Sequence, residues 1–287
     1  MLLSPSEMYP AGSPEIRVRT LSLRSGIRMR VAERGPADGP RLVMLHGWGG
    51  SLYMWRHALE RFPALGFRTV AVDLRGYGLS DKPLEPNSYS LKSYFADLDA
   101  LLDELSGGPV ILVGQSMGGG IALRYAVANP SRIARLALIN PTGLSRVPYI
   151  QALRLAPSLL VDALGPHLIP RWGVEWILER LAYGDGSLVT ERDIDEYWAP
   201  TQLAGFVHAA HASIGEFDWS ILSDGEAKSL AVDTLVLLGE RDRLLRTSRE
   251  QALRLRNARV ERVAGGHCAN EEHPDVVYGA VEEFVRL

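Results

Sequence analysis

The stretch VGQSMGGG, residues 113–120, places a serine between glycines, directly after the apolar run PVILV (109–113) and directly before a helical pattern. A strand, a tight turn and a helix with serine at the apex form the setting of a nucleophile elbow. Glycines at positions 114 and 118 remove Cβ atoms that would clash beside a strained turn residue. The N-terminus of the following helix would direct its free N–H groups toward the reacting centre. We therefore interpret Ser116 as a nucleophile rather than as a packing serine in a plain turn.

A serine hydroxyl needs a base to remove its proton, and the chain has seven histidines. His267 lies in VAGGHCANEEHP (263–274), directly after the last expected strand. A loop at that point would bring the imidazole to the carboxyl edge of a parallel sheet, so His267 is the predicted base. The other histidines are assigned to loop-structuring, surface or insertion positions: His46, His57, His167, His208, His211 and His273.

The base in turn needs a carboxylate that holds one tautomer and stabilises the imidazolium. Asp242 lies in LVLLGERDRLL (235–245), just past an expected strand and before His267 in the sequence. Asp242 is therefore the predicted acid. Glu240 and Asp233 stay as alternatives, the first nearer the strand and the second at its opposite end.

A developing oxyanion needs two donors. The main-chain N–H of Met117, the residue after the predicted nucleophile, is one candidate. The loop HGWGG (46–50) follows an earlier strand, and its glycines allow the backbone to approach a ligand closely. The N–H of Trp48 in this loop is the second predicted donor.

Composition excludes several classes of function. The chain has 287 residues and a net charge of −3, without a basic patch for nucleic acid and without an apolar stretch long enough for a membrane span. Cys268 is the only cysteine, so no internal disulfide can form and a reducing cytoplasm is the expected location. The first residues lack the pattern of a signal peptide. We expect no metal and no cofactor, since the spacing of His267 and His273 matches no zinc motif, and the sequence leaves the oligomeric state open.

Apolar runs alternate with helical patterns, which favours an α/β fold with a doubly wound, mostly parallel sheet. The first two runs flank a short turn and predict an opening hairpin. Strands are predicted at 16–23, 27–34, 41–47, 69–76, 109–115, 135–141, 233–240 and 259–266. Helices are predicted at 51–61, 90–105, 117–128, 248–257 and 275–286.

One interval between the predicted strands is far longer than a single crossover needs. It contains three helical patterns, YIQALRLAPSLLVDAL (149–164), GVEWILERLAY (173–183) and DIDEYWAPTQLAGFVHAAHA (193–212). We interpret it as a helical cap, because an insertion at the carboxyl edge of the sheet would lie over Ser116. The predicted organisation is a flexible leader (1–14), a core made of 15–144 and 226–287, and a cap (145–225). Four cap residues are candidate substrate contacts: Trp172, Trp176, Phe206 and His211.

The motifs LHGWGG, DLRGYGLSDKP, GQSMGGGIAL, LLGERDRLL and GGHCANEEHP, between residues 41 and 274, resemble the α/β-hydrolase superfamily. Within it they are similar to the serine esterase, haloperoxidase-like and C–C hydrolase group with a helical cap. The order Ser116, Asp242, His267 is that of an α/β-hydrolase triad. The resemblance implies structural roles for Asp73 and Arg75. Serine at the elbow differs from the aspartate that epoxide hydrolases and haloalkane dehalogenases carry, so those two chemistries are not expected.

The predicted function is cleavage of a carboxylic ester with a small to medium apolar or aromatic group, through an acyl-enzyme on Ser116. Hydrolysis of a carbon–carbon bond in a ring-cleavage diketo acid is an alternative, since SMGG and NPTGLS resemble such enzymes. That acidic substrate would need an arginine, for which Arg124, Arg146 and Arg171 are candidates. Lactone hydrolysis and perhydrolysis would use the same triad, and a ligand-binding receptor on the same scaffold is a further alternative.

Overall fold

The computed structural model describes residues 2–145, 147, 150, 169–245, 247 and 249–286. Three features discussed above fall outside this range. The expected helix at 149–164 is not described apart from Ile150, and neither His167 nor Arg146 is described.

The described residues form one eight-stranded sheet with the strand order β1-β2-β4-β3-β5-β6-β7-β8. Strands β1 and β2 form the predicted antiparallel hairpin, and β2 also runs antiparallel to β4. The remaining neighbours are parallel, which confirms the predicted fold class. The strands are β1 (Arg17–Ser22), β2 (Arg28–Arg34), β3 (Arg41–Leu45), β4 (Arg68–Val72), β5 (Val110–Gln115), β6 (Ile133–Ile139), β7 (Thr234–Gly239) and β8 (Ala258–Val263).

Helices cover both faces of this sheet. The described α-helices are α1 (Arg56–Arg61), α2 (Leu91–Leu105), α3 (Ser116–Ala128), α4 (Arg171–Ile177), α5 (Glu191–Trp198), α6 (Phe206–Glu216), α7 (Asp224–Ser229), α8 (Arg249–Ala252), α9 (Ala269–Glu272) and α10 (Pro274–Arg286). Apolar residues of α2, α3 and α6 share one hydrophobic cluster. Residues of α1, α4, α5 and α10 share the other. Each face of the sheet is therefore buried, as the continuous apolar strands predict.

The central strand β5 is buried along its whole length. Its register pairs Leu45 with Gly114 on one side and Gln115 with Ile139 on the other. Leu237 of β7 pairs with Ile139 in turn. Because these parallel strands end at the same level, the loops that follow them meet at one edge of the sheet.

Two predicted helices differ from the structure. The pattern at 193–212 is not one helix but α5, a 3-10 turn (Ala199–Gln202) and α6. Pro200 lacks a backbone donor for helix continuation, and Gly205 has a left-handed φ of 81°. The helix predicted at 248–257 is helical only over Arg249–Ala252, and residues 253–257 form turns and a bend.

The motif DLRGYGLSDKP forms a tightly bonded loop after β4. The buried Asp73 carboxylate accepts the N–H groups of Leu52 (2.7 Å) and Leu79 (2.8 Å). Arg75 donates twice to Asp97, at 2.7 and 2.6 Å. Both side chains are engaged inside the fold, which supports the structural roles implied by the family resemblance.

The segment expected to be a flexible leader is attached to the body of the protein around Tyr9. The Tyr9 N–H donates to Glu196 Oε1 of α5 at 2.6 Å, and the Tyr9 carbonyl accepts from Arg30 Nη2 at 2.6 Å. Met8 is buried, and the Tyr9 ring packs edge-on against Tyr53. These contacts differ from the expectation, since proline and serine content does not prevent a segment with apolar and aromatic side chains from packing.

An ionic cluster joins the core to the helices that lie between β6 and β7, which are called the insertion below. Arg56 of α1 forms an ion pair with Asp193 of α5, with Nη2 and Oδ1 2.9 Å apart, and also pairs with Glu271 of α9. Tyr53 donates its hydroxyl to Asp193 at 2.7 Å, and Tyr197 donates to Glu271 at 2.5 Å. Both carboxylates are buried, so their charges rely on Arg56 and on these hydrogen bonds.

Candidate active site

Ser116 lies where β5 turns into α3, and its φ of 51° is left-handed. This conformation is uncommon for a residue other than glycine and marks a strained turn. A Cβ at position 114 would lie 2.5 Å from the Gly118 carbonyl oxygen, and one at 118 would lie 2.3 Å from the Leu45 carbonyl oxygen. The two glycines of the motif are therefore required by close backbone approach on either side of the serine.

The loop after β3 lies directly against the serine. A Cβ at Gly47 would come within 3.0 Å of Ser116 Cβ and 2.3 Å of Gln115 Oε1. Trp48 is the next residue along this loop, and no described carbonyl accepts its main-chain N–H. The loop therefore brings the second predicted oxyanion donor to the neighbourhood of Ser116, while Met117 follows the serine in α3.

His46 has the loop-structuring role expected for it. Its Nε2 accepts the Leu74 N–H at 2.9 Å, so Nδ1 carries the proton that it donates to the Gly47 carbonyl at 2.7 Å. Burial lowers the pKa of His46 below its usual 6.5, although Asp73 acts in the opposite direction. A neutral ring bonded at both nitrogens fixes the loop and has no nitrogen left to serve Ser116.

The structure pairs the predicted base with the predicted acid. Nδ1 of His267 lies 2.9 Å from Oδ2 of Asp242, and both side chains are buried. The other oxygen of Asp242 accepts the N–H groups of Leu244 and Leu245, each at 2.8 Å. This arrangement leaves His267 Nε2 for a proton from a nucleophile.

The two rival carboxylates have different positions. Glu240 is exposed at the end of β7, and Asp233 precedes that strand at the opposite edge of the sheet. Neither has the buried contact with His267 that Asp242 makes.

Two amides hold the main chain of His267, and sequence reasoning gave neither of them this role. Gln115 Nε2 donates to the His267 carbonyl at 2.9 Å. Asn140 Nδ2 donates to the carbonyls of Gly266 (2.9 Å) and His267 (3.1 Å), while its Oδ1 accepts the Gly239 N–H at 2.7 Å. Asn140 thus joins the ends of β6 and β7 to the His267 loop. The signal in the sequence is an asparagine directly after an apolar strand, where its tolerance of left-handed backbone (φ 43°) is useful.

Helix α6 of the insertion contacts the loop that carries Trp48. The indole Nε1 of Trp48 donates to Ser213 Oγ at 3.0 Å and lies 3.2 Å from the Ala210 carbonyl. The Tyr77 hydroxyl lies 2.8 Å from the same Ser213 oxygen. This part of the insertion therefore lies beside the loop that adjoins Ser116.

The four candidate substrate residues have different surroundings. Phe206 is buried and packs edge-on against Tyr77, with ring centroids 6.1 Å apart. Nε2 of His211 is buried without a hydrogen-bond partner among the described residues. In contrast, Trp172 and Trp176 on α4 are 72% and 53% exposed. Phe206 and His211 lie on α6, the helix that contacts the Trp48 loop, and all four residues stay predicted substrate contacts.

Two further features bear on function. In the described ranges, no three His, Cys, Asp or Glu side chains are grouped closely enough to hold a metal ion. None of the helices in that same part of the chain is long and apolar enough to cross a membrane.

Comparison with known proteins places these features in a family. Residues 40–225 match the sequence profile of the alpha/beta hydrolase fold family. Epoxide hydrolase A of Mycobacterium tuberculosis is 25% identical over 308 aligned positions, which cover 91% of this chain and 95% of that protein. Epoxide hydrolase 3 of Siraitia grosvenorii is 38% identical over 135 residues, 46% of this chain and only 42% of the relative.

Solved structures show the same architecture. An epoxide hydrolase mutant from Vigna radiata superposes with a TM-score of 0.79 at 23% identity, covering 95% of this chain and 99% of that one. The enol-lactonase from Burkholderia xenovorans has a TM-score of 0.79 at 22% identity, covering 94% and 100%. At these identities the likeness establishes the fold.

Proposed function

Because the chain belongs to the alpha/beta hydrolase fold family, we propose that it is a serine hydrolase that cleaves carboxylic esters of small to medium apolar substrates. The observation that carries the proposal is the strained Ser116 at the β5–α3 turn together with the buried His267–Asp242 pair. A strained serine at such a turn and a base oriented by a carboxylate are what acyl transfer through a covalent intermediate needs.

In the proposed reaction, Ser116 Oγ attacks the ester carbonyl and His267 Nε2 accepts its proton. Asp242 holds the Nδ1–H of the imidazole and stabilises the positive charge that develops on the ring. The N–H groups of Met117 and Trp48 bind the oxyanion. His267 then protonates the leaving alcohol, and a water activated by the same imidazole releases the acid from Ser116.

The name epoxide hydrolase, which many relatives carry, does not fit the nucleophile of this chain. A carboxylate that opens an epoxide forms an ester, and water can hydrolyse that ester. Opening by Ser116 would form an ether, which has no carbonyl for water to attack. Attack by Ser116 on an ester instead gives an acyl-enzyme that the same base can hydrolyse. The residue at the elbow therefore favours ester over epoxide hydrolysis.

Pairing of two candidate arginines argues against an acidic diketo substrate. Arg124 donates to the Ser220 carbonyl at 2.7 Å and lies 3.3 Å from Asp218. Arg171 donates to Asp195 at 2.7 Å and also pairs with Glu191. Arg146 lies outside the described residues. Both described candidates are thus bound to acceptors within the protein, which favours a neutral ester.

A substrate panel tests the proposal. It contains p-nitrophenyl acetate, butyrate and octanoate, a lactone, styrene oxide and a ring-cleavage diketo acid. We expect turnover of the esters, and Ser116→Ala should lower kcat by about 10⁴- to 10⁶-fold because no other group can form the acyl-enzyme. A fluorophosphonate should label Ser116 in the wild type.

The matched control is Ser88→Ala, which changes another buried serine and should keep full activity. Labelling at a different serine, or turnover of styrene oxide or the diketo acid without turnover of the esters, would overturn the proposal. Turnover of the lactone beside the esters would extend it, since a lactone is a cyclic ester.

A further inference from the structure

The buried carboxylate of Glu272 binds the backbone of the loop that carries His267. Glu272 Oε1 accepts the N–H of Gly266, the residue before His267, at 2.6 Å. Its Oε2 accepts the N–H groups of Gly184 (2.8 Å) and Asp185 (3.2 Å), which follow the π-helix (Leu178–Ala182) of the insertion. One side chain therefore connects the backbone of the insertion to the backbone beside the imidazole.

The two backbones are in direct contact at this junction. The Cys268 N–H donates to the Ala182 carbonyl at 3.0 Å. A Cβ at Gly184 would lie 2.8 Å from the Gly266 nitrogen, and a Cβ at Gly266 would lie 2.4 Å from the Gly184 nitrogen. Glycine at both positions is what permits this approach.

The core and the insertion bind different backbone groups around His267. The core supplies donors, since Asn140 and Gln115 bind the carbonyls of Gly266 and His267. The insertion and Glu272 supply the acceptors for the N–H groups of the residues on either side, Gly266 and Cys268. The peptide between His267 and Cys268 is thus held at both its carbonyl and its N–H, and Glu272 holds the peptide N–H of Gly266, one residue before the imidazole.

We propose that Glu272 is a positioning residue through which the insertion holds His267 in register with Asp242. This inference rests on the proposed function, in which His267 is the base. A shift of the Gly266 peptide would carry the imidazole with it, and misplacement by 1 Å can cost about 10²-fold in rate. The insertion would then act on the chemical step as well as on substrate selection.

Glu272→Gln tests this role because it keeps the size of the side chain nearly constant and removes one acceptor oxygen. A glutamine has one oxygen and one NH2 group, so it cannot accept N–H groups on both sides. We expect kcat for p-nitrophenyl butyrate to fall by about 10- to 100-fold with KM nearly unchanged. The low-field 1H NMR signal of the His267 Nδ1–H, assigned by its loss in His267→Gln, should shift or broaden.

Glu216→Gln is the matched control. The Glu216 carboxylate of α6 likewise accepts two main-chain N–H groups, those of Asn87 (2.9 Å) and Tyr89 (2.7 Å), and so links the insertion to the core away from His267. This variant should have the wild-type kcat and the wild-type 1H NMR signal of the His267 Nδ1–H. General loosening of the insertion would affect the two variants alike, whereas loss of positioning affects Glu272→Gln only.

The proposal fails if Glu272→Gln keeps the wild-type kcat and imidazole signal, or if Glu216→Gln changes both to the same extent. If Glu272→Gln does not fold, Gly184→Ala gives the same two measurements, because its Cβ would push the Gly266 peptide. The NMR signal does not depend on ester hydrolysis. It therefore decides the positioning role even where the wild type cleaves no ester and the proposed function has failed.

Discussion

At the scale of single residues, the two carboxylates that follow β7 have different environments. Glu240 is exposed, while the side chain of Asp242 is 3% exposed. Leu244 and Leu245 donate to one Asp242 oxygen and leave the other for His267. An asparagine at position 242 would keep its oxygen toward these two donors, so its NH2 group would face the imidazole.

Asp242→Asn should therefore lower kcat by about 10⁴-fold while the protein stays folded. The amide would donate to Nδ1 and leave the ring proton on Nε2, where the imidazole cannot accept from Ser116. Steady-state hydrolysis of p-nitrophenyl butyrate measures the loss. Glu240→Gln is the control and should stay within about twofold of the wild type, as surface changes do. If Glu240→Gln instead shows the large loss of kcat and Asp242→Asn keeps a nearly normal kcat, Glu240 is the carboxylate that orients His267.

Prediction of single residues from sequence succeeds where a chemical role needs a rare pattern. Serine in a glycine-flanked turn, and a histidine and an aspartate after later strands, are such patterns, and the structure places the last two in contact. Asn140 and Glu272 escape prediction because asparagines after strands and glutamates in helices have many ordinary uses. Their roles depend on partners fixed only by the fold, such as Gly266, 126 positions away from Asn140.

At the scale of helices and strands, Asp193 of α5 is the residue whose charge attaches the insertion to α1. Its burial raises its pKa, but Arg56 and hydrogen bonds from Tyr53 and Thr190 outweigh burial, so the pKa of Asp193 lies below its usual 3.8. A carboxylate with a depressed pKa in the folded state stabilises the fold above its unfolded pKa. That stabilisation is lost as the pH falls through the folded value.

Asp193→Asn should lower the free energy of unfolding by about 1.5–3 kcal/mol at pH 7, the range for hydrogen bonds to charged groups. The difference from the wild type should shrink as the pH falls below 3.8, since the wild-type carboxylate then becomes neutral as well. Urea unfolding at a series of pH values measures both quantities. Asp275→Asn, at a side chain that is 99% exposed, should change stability little at any pH. If Asp193→Asn lowers the free energy of unfolding equally at every pH, packing and not charge is responsible.

The predicted strands all occur because long apolar runs between breakers have few alternatives in a sheet buried on both faces. Helix boundaries in the insertion were less predictable. The apolar pattern continues across Pro200 and Gly205 and predicts one helix, whereas the missing backbone donor of the proline and the left-handed φ of the glycine break the helix there.

At the scale of the whole molecule, the insertion is the proposed cap that determines which acyl groups fit. Phe206 lies buried on α6, the helix that contacts the Trp48 loop, whereas Trp172 lies largely in solvent. Phe206→Ala should therefore change the ratio of kcat/KM between octanoate and acetate esters, by about 1–3 kcal/mol for each methylene gained or lost in the pocket. Trp172→Ala should leave that ratio unchanged.

The measurement is kcat/KM for acetyl, butyryl and octanoyl esters, with thermal unfolding followed in parallel. If Phe206→Ala changes kcat/KM for all three esters by the same factor, or lowers only the thermal stability, the insertion does not select the substrate. If Trp172→Ala alters the ratio instead, the contact surface lies on α4 and not on α6.

The insertion also has a consequence for the order in which the triad residues come together during folding. The connections among β3, β4, β5 and β6 cover residues 46–67, 73–109 and 116–132, and each is shorter than the connection from β6 to β7. The serine turn therefore depends only on β3 to β6. Strand β7 must find β6 across residues 140–233, and the entropy of closing a loop grows with its length. We expect a refolding chain to assemble the serine turn first and to gain Asp242 and His267 last, once the insertion has docked. The nucleophile would then stay inert throughout folding and become reactive only in the finished molecule.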